Sequence, residues 1–172
     1  MQYQEAQLAY NYQTMMEGIH SEVYSQLIDI LISNPAEKSR LFSAILTIPC
    51  IEKKARWAKK WMNVATPFAM RLVAFAFVEG IFFSGSFCSI YWIKQRGILP
   101  GLTTSNEFIA RDEGQHTDFA VLLYKNHIVH KMPEATIHEL AREAVEIETE
   151  FICESLPCDL LGMNKRLMAE YI

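Results

Sequence analysis

The sequence predicts an all-α protein, a helical bundle forming a single domain over residues 1–172, and three observations predict it. Apolar residues recur at helical spacing almost throughout the chain. No segment alternates like a strand. The helical stretches are separated by short Pro, Gly and Asn signals, with no low-complexity linker or internal repeat. At 172 residues, 51% hydrophobic and 21% charged, the chain can bury a substantial core.

The first helix is predicted from about Gln2 to Ile32. It stops before Asn34-Pro35, where Asn34 can cap a new helix, Pro35 suits its first position and Glu37 completes a capping box. That short helix ends near Pro49, and another spans roughly Ile51 to Asn63. Thr66-Pro67 opens a long apolar helix to about Arg96, ended by Gly97 and a Pro100-Gly101 turn. Thr104 with Glu107 reads as the capping box of a helix to about His130. Pro133 starts the next, which ends near Ser155, and a last one begins around Asn164.

The bulk properties exclude some classes. A net charge of −4 gives no basic footprint, so no nucleic-acid partner is expected. Cys50, Cys88, Cys153 and Cys158 form no CxxC pair, which fits free thiols in a reducing cytoplasm. The opening MQYQEAQLAY lacks the pattern of a signal peptide. From Leu72 to Ile93 the sequence runs 22 residues with a single charge, long enough to span a bilayer. Glu79 stands near the middle of that run, where a carboxylate is costly in lipid. The segment therefore reads as a buried helix of a soluble bundle, with no membrane partner.

The chemistry resides in a repeated spacing. Glu17 and His20 are three apart in the first helix and Tyr24 is four further on, which puts all three within roughly 60° of one face. Glu113 and His116 repeat Glu-x-x-His in the sequence RDEGQH, and Glu79 supplies an acid inside an apolar helix. One such pair alone is common on solvated helix faces. Two copies with a buried Glu match the ligand set of di-metal carboxylate bundles, since unpaired acids in apolar helices are expensive. Carboxylates can bridge two hard cations, and neutral imidazoles complete each coordination sphere.

Three stretches make the likeness specific: EGIHSEVYS (Glu17 to Ser25), VEGIFFSGSF (Val78 to Phe87) and PGLTTSNEFIARDEGQH (Pro100 to His116). They resemble the signature segments of the class I ribonucleotide reductase small subunit, in its eukaryotic and viral branch. The likeness continues through IETEF (Ile147 to Phe151) and LGMN (Leu161 to Asn164). It implies a ferritin-like helical bundle and a homodimer. It also implies metal ligands at Glu17, His20, Glu79, Glu113 and His116, and a radical-bearing tyrosine at Tyr24. Phe83, Phe87 and Ile109 fall on the family's apolar radical pocket. Asp112 falls on the carboxylate that orients the first histidine and lies on the proton-coupled electron path. The implied activity is that of a ribonucleoside-diphosphate reductase, an oxidoreductase of deoxyribonucleotide biosynthesis. Two iron ions activate dioxygen and generate a tyrosyl radical, which a large catalytic subunit uses to reduce ribonucleotides. Manganese–iron and dimanganese centres use similar ligands.

The sequence departs from the family pattern at its ends. The family's sixth ligand, an aspartate, and the tryptophan of its electron path precede the first matching segment. Asp29 cannot replace that aspartate, being rotated about 120° from the ligand face. The family's last helices and docking tail follow the last matching segment. The expectation is a bundle incomplete at both termini, with one nearly intact metal position, one weakened position and a low radical yield. Two other readings stay open: a metal-binding or structural homologue without radical activity, and a related di-metal oxidase. The acidic run Glu139 to Glu150 reads as a solvated face pairing with Arg142, and Trp57 and Trp61 as a packed pair. His127, His130 and His138 are assigned no role.

Overall fold

A computed structural model describes residues 3–155 and 162–172, and all regular elements among them are helical. The readings for Cys158 and Leu161 lie outside the described residues. The protein divides into two compact units, Met1–Ala44 and Ile45–Ile172.

The first unit holds α1 (Gln4–Leu31) and α2 (Pro35–Phe42). Asn34 caps α2 as expected: its Oδ1 accepts from the N–H groups of Ala36 (2.9 Å) and Glu37 (3.2 Å). The reciprocal half of the capping box is not made. The Glu37 carboxylate instead takes the Arg40 guanidinium at 2.6 and 2.9 Å, a charge-assisted pair that outcompetes a single backbone donor. Asp29, near the end of α1, is an exposed partner of Lys38 on α2 at 2.5 Å.

The second unit follows α3 (Ala44–Thr47) with α4 (Pro49–Trp61), α5 (Phe68–Gly80), α6 (Ser84–Lys94), α7 (Pro100–His127), α8 (Glu134–Ser155) and α9 (Lys165–Tyr171). Its core joins Trp57 of α4, Val73 and Ala74 of α5, Phe82, and Leu140, Ala144 and Ile147 of α8. The Trp57 ring meets Trp61 edge-on at 6.0 Å and Phe82 at 5.2 Å, so the expected tryptophan pair forms. Of the helix pairs in this unit, α5 and α7 pack most extensively, which brings two ligand-bearing helices side by side.

The structure changes three local readings. The long apolar helix is interrupted between α5 and α6. There the Phe82 N–H is shared between the carbonyls of Val78 (3.2 Å) and Phe77 (3.3 Å), a widened turn, and Ser84 N–H closes a tight turn on Ile81 (3.0 Å). By length and composition alone Phe68–Lys94 is still apolar enough to cross a membrane. Next, α7 starts at Pro100, one turn before the Thr104–Glu107 box. Gly97 (φ 66°) and Leu99 (φ 51°) complete the turn early, Pro100 takes the first helical position, and the Glu107 carboxylate is held by Lys94. Finally, the acidic residues of α8 reach across to α4. Glu143 takes Trp57 Nε1 (2.8 Å), Glu150 pairs with Lys53, and Glu148 is fully buried.

Candidate metal centre

On α7 the residues Ile109, Asp112, Glu113, His116, Ala120 and Leu123 recur at helical spacing and are all buried, so one face carries them into the packing. Glu79 comes from the last turn of α5, the helix packed most extensively on α7. The three predicted ligands of this unit meet. His116 Nδ1 lies 3.1 Å from Glu113 Oε2 and 3.2 Å from Glu79 Oε2, with the three residues 4 to 7% exposed. One oxygen or nitrogen from each lies within 4.8 Å of the others.

This arrangement fits a metal by the chemistry of its donor set. Two carboxylates and an imidazole converge in a buried space, where their oxygen and nitrogen atoms can turn to one cation. A divalent cation at the convergence would be held by two hard oxygens and one borderline nitrogen, a donor set suited to iron, manganese or zinc. The imidazole then binds as the neutral ring.

In the first unit Glu17 and His20 stand together as the spacing predicted, His20 Nδ1 lying 3.7 Å from Glu17 Oε2. His20 is buried and Glu17 is partly exposed. Tyr24 follows one turn later and is half-buried. Of the expected pocket residues, Phe83 and Phe87 pack ring to ring at 5.9 Å with a 36° tilt, and Ile109 is buried on α7. Asp112 is buried, with its Oδ1 4.0 Å from Arg111 Nε.

Sequence reasoning missed a second buried charged group. Lys54 Nζ lies 2.7 Å from Glu148 Oε2 and also donates to the Phe82 carbonyl. Glu148 Oε1 accepts from the Gly85 N–H at 3.0 Å. Burial pulls the Lys54 ammonium below its ordinary range, and the nearby Glu148 charge opposes that shift. Burial likewise raises the Glu148 carboxyl, against the pull of Lys54 and of the Gly85 N–H. The available signal was periodicity: Leu140, Ala144, Ile147, Glu148 and Ile152 share the apolar face of α8.

Taken together, the helices and the site give an all-helical protein of the ferritin-like class with a candidate carboxylate–histidine metal site. The chain matches the family described as "Ribonucleotide reductase, small chain" over residues 1–172, and it belongs to that family. It is similar to the ribonucleoside-diphosphate reductase small chain of Trypanosoma brucei brucei, with 59% identity over its full length, covering 51% of that relative. It is likewise 58% identical to the ribonucleoside-diphosphate reductase small subunit of Dictyostelium discoideum, again over its full length, covering 51% of that protein. Among solved structures it resembles the ribonucleotide reductase Rnr4 homodimer from Saccharomyces cerevisiae, with a TM-score of 0.83 and 40% identity. That match covers 94% of the present sequence but 51% of the yeast protein. The chain thus spans about half the length of the curated relatives it matches.

Proposed function

We propose that this chain carries the metal-binding core of a ribonucleoside-diphosphate reductase small subunit that makes a tyrosyl radical for ribonucleotide reduction. The observation that carries this reading is the single His116 nitrogen shared by two buried carboxylates in a member of the family. Glu79, Glu113 and His116 would hold one metal ion, and Glu17 and His20 would contribute to a second. Two bound iron ions would supply the one-electron oxidising power drawn from dioxygen.

The remaining work falls to the protein's own side chains. The Tyr24 phenol gives up an electron and its proton. By the family resemblance, Phe83, Phe87 and Ile109 are the side chains that would keep water and reductants from a phenoxyl. The Asp112 carboxylate accepts a hydrogen bond on the route along which electron and proton travel together. The radical's user would be a large catalytic subunit, and the working form of the small subunit a homodimer, as the yeast homodimer suggests. Free cysteines are the support for placing it in the cytoplasm. The apolar stretch Phe68–Lys94 serves as a core helix in this reading, because its Glu79 is engaged with Glu113 and His116.

The test is anaerobic Fe2+ titration, then oxygen exposure and electron paramagnetic resonance, with Tyr24→Phe in parallel. A tyrosyl signal that vanishes in Tyr24→Phe is the expected result. Iron uptake with no radical would remove the radical role and leave a metal-binding protein, whereas no uptake at all would remove both.

A further inference from the structure

We propose that Lys54 and Glu148 are positioning residues for the metal ligand Glu79: their buried ion pair clamps both sides of the helix break that follows it. This inference rests on the metal-centre reading of Glu79, Glu113 and His116.

The break between α5 and α6 frees backbone groups that an unbroken helix would pair internally. The Phe82 carbonyl is the regular acceptor for Ser86 N–H, and the Ile81 carbonyl the regular acceptor for Gly85 N–H. Here the Ile81 carbonyl takes both the N–H (3.0 Å) and the hydroxyl (2.7 Å) of Ser84. The Phe82 carbonyl takes the Lys54 ammonium, and the Gly85 N–H gives its hydrogen bond to Glu148 Oε1 at 3.0 Å. The charges are the right way round. A cation sits where α5 presents its carbonyls, and an anion sits where α6 presents its amides.

The pair is built into the core. The Glu148 side chain is fully buried and that of Lys54 is 15% exposed, with the ammonium 3.9 Å from the Phe151 ring centre. Gly85 is required by this contact, since a Cβ there would stand 2.8 Å from Glu148 Oε1 and 3.2 Å from Ile152 Cδ1. Apolar side chains of similar volume would fill the same space without the desolvation cost. The ion pair adds directional bonds to two particular backbone groups, which fix where α5 stops and how α6 restarts. Glu79 lies one turn before the Phe82 carbonyl, and Phe83 immediately follows it. A shift of the clamp would therefore move the ligand and the first aromatic of the pocket together.

The experiment titrates Co2+ into the 172-residue chain and reads its visible ligand-field bands, alongside amide hydrogen exchange of residues 80–85. Glu148→Gln and Lys54→Met are compared with Lys54→Arg, which keeps a cation and donors. The expected result is Co2+ binding weakened by about 10–100-fold, the loss typical when support for a ligand is removed. Altered bands and faster exchange at 80–85 should accompany it, with Lys54→Arg restoring most of the affinity. Where Glu148→Gln does not fold, Gly85→Ala carries the test, because it leaves both charges in place and crowds the Glu148 oxygen most, with a lesser contact on Ile152. Unchanged affinity and bands despite faster exchange would overturn the proposal and leave a purely structural pair. A wild-type protein that takes up no Co2+ would sink the metal reading itself, and the positioning role with it.

Discussion

Two buried charged clusters lie in the second unit, and their chemistry differs in one respect. Lys54 and Glu148 balance each other, while Glu79 and Glu113 set two carboxylates around one imidazole. A buried group that is neutral in total can serve the fold alone. A buried cluster that sets carboxylate oxygens beside an imidazole nitrogen is a donor set that a cation can occupy. The first cluster is therefore self-contained and pins the backbone groups around it, whereas the second offers its atoms to an ion. The same kind of substitution should have different consequences in the two places.

The largest effect should come from breaking the balanced cluster. Lys54→Met or Glu148→Gln leaves an uncompensated buried partner and is expected to cost about 3–5 kcal/mol of folding stability. Replacing both with methionine should cost much less than the sum of the two single changes. Urea unfolding of the three variants measures this directly, and additive losses would show that the two groups act independently. In the metal cluster the effect should be smaller. Glu79→Gln keeps the size and the hydrogen-bonding capacity of the side chain, so the metal-free protein should lose much less than about 3–5 kcal/mol.

Adding the metal should then separate the clusters further. A divalent ion at about 100 times its dissociation constant is expected to stabilise the wild-type protein by about 2.7 kcal/mol. Glu79→Gln should lose most of that gain, seen as a metal-independent melting temperature. An equal metal-induced shift in both proteins would mean that the ion binds elsewhere.

How much of this was legible in the sequence differs between the clusters. Glu113 and His116 announce themselves because their spacing repeats that of Glu17 and His20, and Glu79 because it interrupts an apolar run. The helices were legible from periodicity, and the Asn34 cap from its residue type. Lys54 and Glu148 were hidden for a physical reason. Each sits among other charged residues, in EKKAR and EIETE, where a solvated face is the natural reading. Only the packing of α4 on α8 tells which lysine and which glutamate turn inward. The helix break was invisible for a related reason. Gly80 and Gly85 signal weakness in a helix, but the groups that satisfy the opened backbone come from positions distant in sequence. The start of α7 differs from the expected one because the Thr104–Glu107 spacing imitates a cap, whereas the Leu99 backbone turns the chain one helical turn earlier.

A pH dependence should expose the coupling inside the balanced cluster. Glu148 has its folded-state carboxyl raised above the ordinary 4.5 by burial, and Lys54 works against that rise. Removing Lys54 should raise the carboxyl further. An acid with a raised folded-state pKa contributes stability that is full below its unfolded value and is lost as pH rises through its folded value. Lys54→Met should therefore lose more stability than wild type between pH 5 and pH 8, by about 1.4 kcal/mol for each unit of additional shift. Urea midpoints at the two pH values test this, and parallel changes in both proteins would show that Lys54 does not control the carboxyl.

The smallest expected effect sharpens the contrast most, because it changes only exposure. Lys53 and Glu150 also join α4 to α8, one residue along from Lys54 and two from Glu148, but both are well exposed. Water screens that pair, and holding two long side chains in place costs entropy. Lys53→Ala should thus cost less than about 1 kcal/mol, and the loss should shrink further at high salt. Lys54→Met should keep most of its larger cost in the same salt, since its partner is shielded from ions. Urea unfolding of the two variants at low and high ionic strength gives the comparison. A Lys53→Ala loss as large as that of Lys54→Met would mean that the α4–α8 contact as a whole, and not the buried clamp on Phe82 and Gly85, holds the helices together.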